Sequence, residues 1–223
     1  EMSVLAKAHG YVVGCAPAQS YFDCRCLQMG SQTRAGEGVP FPECEFSYSL
    51  TLAPYETSWH PEFLHQGRNC YAYLVGKFGY ETFDWISIQL YETNSHAEWA
   101  TTSAAGAKQQ TVKEYLDDLA ADFEKGYCIR VPDSGEVLEV RIPRDRLVWG
   151  FSFGRHAAGK FLVQNFAASL PDADGFRGAV FWNVEIDGTG LETDDKSDPD
   201  KFLHMARELA KLFGRIRIER SMA

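Results

Sequence analysis

Phe83-Asp84-Trp85-Ile86-Ser87-Ile88-Gln89-Leu90-Tyr91 is the stretch that decides the fold. Its apolar run is too short for a helix and too continuous for a strand with one wet face, so it reads as a strand buried in a parallel sheet. Side chains two apart on a strand share a face, so Gln89 and Tyr91 stand together at its C-terminal end. An amide and a phenol on one face offer donors and acceptors to a polar ligand, and the phenol ring adds an apolar wall.

Three further strands follow the same pattern: Tyr11 to Ala16, Leu147 to Phe151 and Ala179 to Ile186. Between them lie helices with start and stop signals. A short helical run passes through Val4, Leu5 and Ala8. Tyr71, Leu74, Val75 and Phe78 keep helical spacing up to Gly79, a terminating glycine. Thr111-Val112-Lys113-Glu114 is a capping box that leads Tyr115, Leu116, Leu119 and Phe123 down one face before Gly126. Lys160 to Leu170 is a further candidate. Asp198-Pro199 opens a last helix whose stripe runs from Phe202 to Phe213 and stops at Gly214.

Two segments interrupt the alternation. Phe46, Tyr48, Leu50 and Leu52 alternate with Ser47, Ser49 and Thr51, as in a half-buried strand or extended loop. Cys128 to Val131 and Val137 to Ile142, joined through Pro132-Asp133-Ser134-Gly135, form an inserted hairpin. The expectation is one domain over residues 1–223 in the α/β class.

The net charge of -9 and the pI near 5.2 exclude nucleic acid and anionic membrane surfaces as natural partners. No apolar run is long enough for a membrane span. Val12-Val13-Gly14-Cys15 resembles a lipoprotein box, but Lys7, His9 and Gly10 leave no apolar run ahead of it. Six cysteines are even in number and lean towards a secreted or otherwise oxidising compartment, with pairing unreadable from sequence. No metal site is expected: His60 and His65 share no helix or strand face, and no Cys/His cluster has zinc spacing. The acidic loop Asp187 to Asp200 lacks calcium-loop spacing. Gly154 to Lys160 resembles a phosphate-binding loop, but Phe161 stands where the magnesium ligand belongs, and no cofactor is expected.

Strand–helix alternation with polar residues at strand ends is the grammar of a (β/α) barrel. Tyr11 to Asp23, with Ala16-Pro17 and then a polar residue, resembles the fifth strand of glycoside hydrolase family 18, especially its class III chitinases. Phe83 to Tyr91 resembles the sixth, which ends in Gln-x-Tyr. Arg146 to Phe151 resembles the seventh, and Phe176 to Asn183 the eighth, where Trp182 follows a glycine and apolar residues.

The resemblance implies a (β/α)8 TIM-barrel type of fold, of which this chain supplies the last four βα units. It implies that Tyr91 hydrogen-bonds an N-acetyl group, Gln89 orients it, and Trp182 forms a floor beneath the sugar ring. The partner implied is chitin or another N-acetylated glycan. The departures are equally specific. The Asp-x-x-Asp-x-Asp-x-Glu of the family's fourth strand, whose glutamate is the general acid, is absent from these residues, as are strands one to four. Glu92-Thr93-Asn94 replaces the usual Asn-Asn. In that family the substrate's N-acetyl oxygen is the nucleophile, so binding groups without the acid hold a sugar and do not cut it. The catalytic residue is therefore unknown. Two readings result: half of a hydrolase of N-acetylglucosamine polymers, completed by an N-terminal half-barrel chain or by a homodimer, or a non-catalytic scaffold that binds glycans or proteins. A small standalone α/β protein is the third.

Overall fold

The computed structural model describes residues 1–24, 43–45, 69–90, 96–101, 110–131, 134–152, 176–182, 206–207 and 209–210. In chain order its elements are α1 (Met2–Ala8), β1 (Gly14–Cys15), β2 (Glu43–Glu45), α2 (Cys70–Phe78), β3 (Trp85–Gln89), α3 (His96–Thr101), α4 (Val112–Lys125), β4 (Tyr127–Arg130), β5 (Val137–Val140), β6 (Leu147–Ser152) and β7 (Gly178–Trp182).

The four expected strands pair in a single sheet, in the order β1-β3-β6-β7, and every pairing is parallel. The protein is thus a mixed α/β fold built on a four-stranded parallel sheet, in which the spatial order of the strands follows their order in the chain. A second sheet has the order β2-β4-β5. Its β4–β5 pair is the expected hairpin, closed by Gly135 at φ 67 and by the Val131 N–H donating to the Glu136 carbonyl at 2.9 Å. The parallel pairing of β2 with β4 was not anticipated. The alternating segment from Phe46 to Leu52, the candidate helix from Lys160, and both ends of the last helix lie outside the described residues. Ala206, Arg207, Leu209 and Ala210 are helical, as the last helix requires.

The expected helix signals operate locally. Thr111 accepts from the Glu114 N–H at 3.2 Å, and Glu114 accepts from the Thr111 N–H at 2.9 Å, so two otherwise orphaned donors are satisfied at the start of α4. Gly79 and Gly126 end α2 and α4 at φ 84 and 91, where a side chain would be strained. Gly76 has a different purpose. A Cβ there would lie 3.0 Å from the Leu138 Cβ, so its absence lets α2 settle closely on β5.

Strand alternation sorts the parallel sheet into two unlike faces. On one face Ile86, Ile88 and Leu90 of the β3 segment join Leu147, Trp149 and Phe151 of β6, all at most 1% exposed. They share one core with Tyr115, Leu119 and Phe123 of α4 and with Ala72 and Val75 of α2. Each such aliphatic or aromatic side chain contributes about 1.5–3 kcal/mol by leaving water.

The other face carries Trp85, Ser87 and Gln89, Val148 and Gly150, and Gly178 and Val180. Strands covered on both faces were expected. The centres of β3 and β6 fit that expectation, but Gly14 of β1 is exposed and Val180 of β7 is 46% exposed. The physical reason is position: β3 and β6 are flanked on both sides, whereas β1 and β7 are the outer strands of the described sheet.

Buried polar bonds fix the chain around this core. Asn69, fully buried at φ 52, accepts from the Asp23 N–H at 2.8 Å and from the Tyr127 hydroxyl at 3.2 Å. Burial raises the Tyr127 pKa, so this phenol stays protonated as a donor. At the opposite end of β3, Asp84 accepts from the Val13 N–H at 2.7 Å and pairs with Lys7 at 3.0 Å and with Arg146 at 3.8 Å.

Candidate functional site

The C-terminal ends of β1, β3, β6 and β7 lie side by side, because all four strands run the same way. The register gives the relation between the expected site residues. Gln89 pairs with Gly150, Gly150 with Val180, and Trp182 with Ser152 two positions further along. Positions 89, 150, 152, 180 and 182 therefore share one face of the sheet, the one opposite the core. The backbone register thus puts positions 89 and 182 at one end of the sheet, separated by the width of β6. Tyr91 lies outside the described residues.

Gln89 is half-buried and is held at both backbone and side chain. Its backbone N–H donates to the Pro17 carbonyl at 2.9 Å, and its side-chain Nε2 donates to the Ala16 carbonyl at 2.7 Å. The segment after β1, Ala16-Pro17-Ala18, is thereby strapped to the end of β3, with an isolated parallel bridge from Ala18 to Gln89. One of the two amide N–H groups is engaged in this way.

Sequence reasoning missed two polar residues near this end of the sheet. Gln19 is 2% exposed; its Nε2 donates to the Tyr115 hydroxyl, and its Oε1 accepts from the Ala97 N–H at 3.1 Å. It ties β1's following turn to α3 and α4, and its position directly after Ala-Pro-Ala carries no periodic signal of burial. Ser87 is 4% exposed, and its hydroxyl has no hydrogen-bond partner. A signal for Ser87 was present, since a residue two before Gln89 on a strand shares its face.

Electrostatically this face is neutral: no described position on it is Asp, Glu, Lys, Arg or His. Glu92 and Glu185, the carboxylates that follow β3 and β7, lie outside the described residues, as do His60, His65, the glycine-rich loop 154–160 and the acidic loop 187–200. Among the described residues no group of three or more His, Cys, Asp or Glu could hold a metal ion. Cys15, Cys24, Cys70 and Cys128 are thiols, and no disulfide joins any two of them. Burial pushes the Cys15 thiol up to about 12, which makes it unreactive as a nucleophile near neutral pH. Among the described residues no helix is long and apolar enough to cross a membrane.

No protein-family profile, curated protein or solved structure matches this chain.

Proposed function

We propose that this chain is a carbohydrate-binding protein of the chitinase-like kind, holding N-acetylglucosamine polymers at the C-terminal end of its parallel sheet. On this reading the four strands are the last four βα units of a (β/α)8 barrel, and an N-terminal half-barrel chain or a second copy completes it. Gln89 orients the acetamido group, Tyr91 hydrogen-bonds it, and Trp182 provides an apolar floor for the C–H face of the sugar ring.

The observation that carries this reading is the register. It gathers Gln89 and position 182 on one uncharged sheet face, at the strand ends where α/β proteins bind ligands. A neutral sugar brings no net charge to be desolvated, and its polar groups need only hydrogen-bond partners such as the Gln89 amide, whereas an ionic ligand meets no counter-charge among the described positions.

The same neutrality favours binding over cleavage by this chain. A general acid needs a carboxyl group within about 2.6–3.2 Å of the glycosidic oxygen, and the described part of the face supplies none. The test is release of product from a chromogenic chitobiose substrate. The 223-residue chain alone is expected to give no turnover, and addition of a half barrel carrying Asp-x-x-Asp-x-Asp-x-Glu is expected to restore it. Turnover by the chain alone, abolished by Glu92→Gln or Glu185→Gln, would show that the acid resides in this chain and that the binding-only reading is wrong.

A further inference from the structure

We propose that Ser87 is a ligand-binding residue, whose hydroxyl hydrogen-bonds a neutral carbonyl or hydroxyl group seated on the uncharged face of the sheet. This inference rests on the carbohydrate reading above and adds to it a residue that chooses among sugars.

Ser87 sits in the middle of β3, two positions before Gln89 and about 7 Å deeper along the strand. It is 4% exposed, yet its Oγ has no hydrogen-bond partner. A buried hydroxyl without a partner is costly and uncommon, so such a group calls for an explanation. Its surroundings supply one. The neighbouring positions on this face are small or only half-buried: Val148 beside Ser87 is half-buried, and Gly178 lies beyond Val148 in the same row. A Cβ added at Gly178 would meet nothing within 4 Å among the described residues, so this row leaves room at β7. On the β1 side it is closed. The Trp85 indole lies across Gly14, so close that a Cβ on Gly14 would collide with its Cε2.

A ligand that enters from the strand ends meets the Gln89 amide first and Ser87 about 7 Å further along β3. The hydroxyl can donate to a carbonyl oxygen or accept from a hydroxyl. It offers nothing to an ammonium or a carboxylate that would repay full desolvation, and no described position on the face does either. The group recognised is thus neutral, such as the acetamido or hydroxyl substituent of a sugar.

The experiment uses the full chain and the N-acetylglucosamine tetramer as probe. Affinity is measured by calorimetric titration and stability by thermal unfolding, for wild type, Ser87→Ala and Ser87→Thr. The expected result is a loss of about tenfold in affinity for Ser87→Ala with an unfolding temperature equal to or above that of wild type, because the substitution removes an unpartnered buried polar group. Ser87→Thr keeps the hydroxyl and is expected to bind within about threefold of wild type. Equal affinity in wild type and Ser87→Ala overturns the inference and leaves the carbohydrate reading standing. A lower unfolding temperature for Ser87→Ala with unchanged affinity also overturns it, and assigns the hydroxyl to a buried water. Absence of tetramer binding by folded wild type overturns the carbohydrate reading itself, and this inference with it.

Discussion

Gln89 donates its side-chain N–H to the Ala16 carbonyl across 2.7 Å, joining the ends of β3 and β1. The bond orients the amide before any ligand arrives, and it also strengthens the sheet. Gln89→Ala is expected to cost about 0.5–1.5 kcal/mol, the net worth of one hydrogen bond. Gln89→Glu should cost more at neutral pH, because a carboxylate would face a carbonyl oxygen with no proton between them. Urea unfolding of both variants checks the order. Equal stability in Gln89→Ala and Gln89→Glu would show that the amide is not held as described.

Asn69 is hydrogen-bonded to Asp23 across 46 residues of sequence, and it combines left-handed backbone with a doubly used Oδ1. Asn69→Ala removes the acceptor from two buried donors and puts a Cβ-bearing residue without a polar group at φ 52. A loss of about 3 kcal/mol or more is expected from the unsatisfied donors and backbone strain together. Asn69→Gly separates the two causes. Glycine tolerates the backbone, so it should recover about 1 kcal/mol of that loss and no more. The comparison of the two denaturation midpoints decides it.

How much of this was legible in the sequence follows from the range of each interaction. The capping box at Thr111, the stops at Gly79 and Gly126, and the β4–β5 hairpin were readable because each depends on residues a few positions apart. The four parallel strands were readable from their apolar runs, and the face shared by Ser87 and Gln89 from simple alternation. The Asn69 linkage was not, since its partners are 46 and 58 residues away and leave no local pattern. Neither was the parallel pairing of Glu43–Glu45 with β4, which joins residues about 85 positions apart and leaves no local pattern. At the candidate site, residue type and strand alternation suggested chemistry at Gln89, and the family resemblance suggested it at Trp182. The strap from Gln89 to Ala16 was invisible, because any strand-end glutamine could equally have met water.

Asp84 sets a pH dependence. Its carboxyl is held below the usual carboxylate range by the Val13 N–H and by the hydrogen bond from Lys7. A pKa lowered on folding means that the stabilisation is fully present above the unfolded value of about 3.9, and is lost as pH falls through the lower folded value. The side chain is 28% exposed, so solvent screening makes the effect modest. Wild type should therefore lose stability below about pH 4, and Asp84→Asn should start less stable at pH 7 but show a shallower acid limb. Unfolding temperatures recorded from pH 7 down to pH 3 test this. Parallel acid limbs in the two proteins would contradict it.

On the function proposed above, the uncharged end of the parallel sheet holds an N-acetylated sugar, with Trp182 as its floor. The most direct measurement is calorimetric titration of the folded 223-residue chain with the N-acetylglucosamine tetramer, alongside Trp182→Ala. Saturable binding by wild type is expected, weakened in Trp182→Ala by about 1–3 kcal/mol for loss of an aromatic platform. Equal affinity in the two folded proteins, or no binding by wild type at millimolar tetramer, would contradict it.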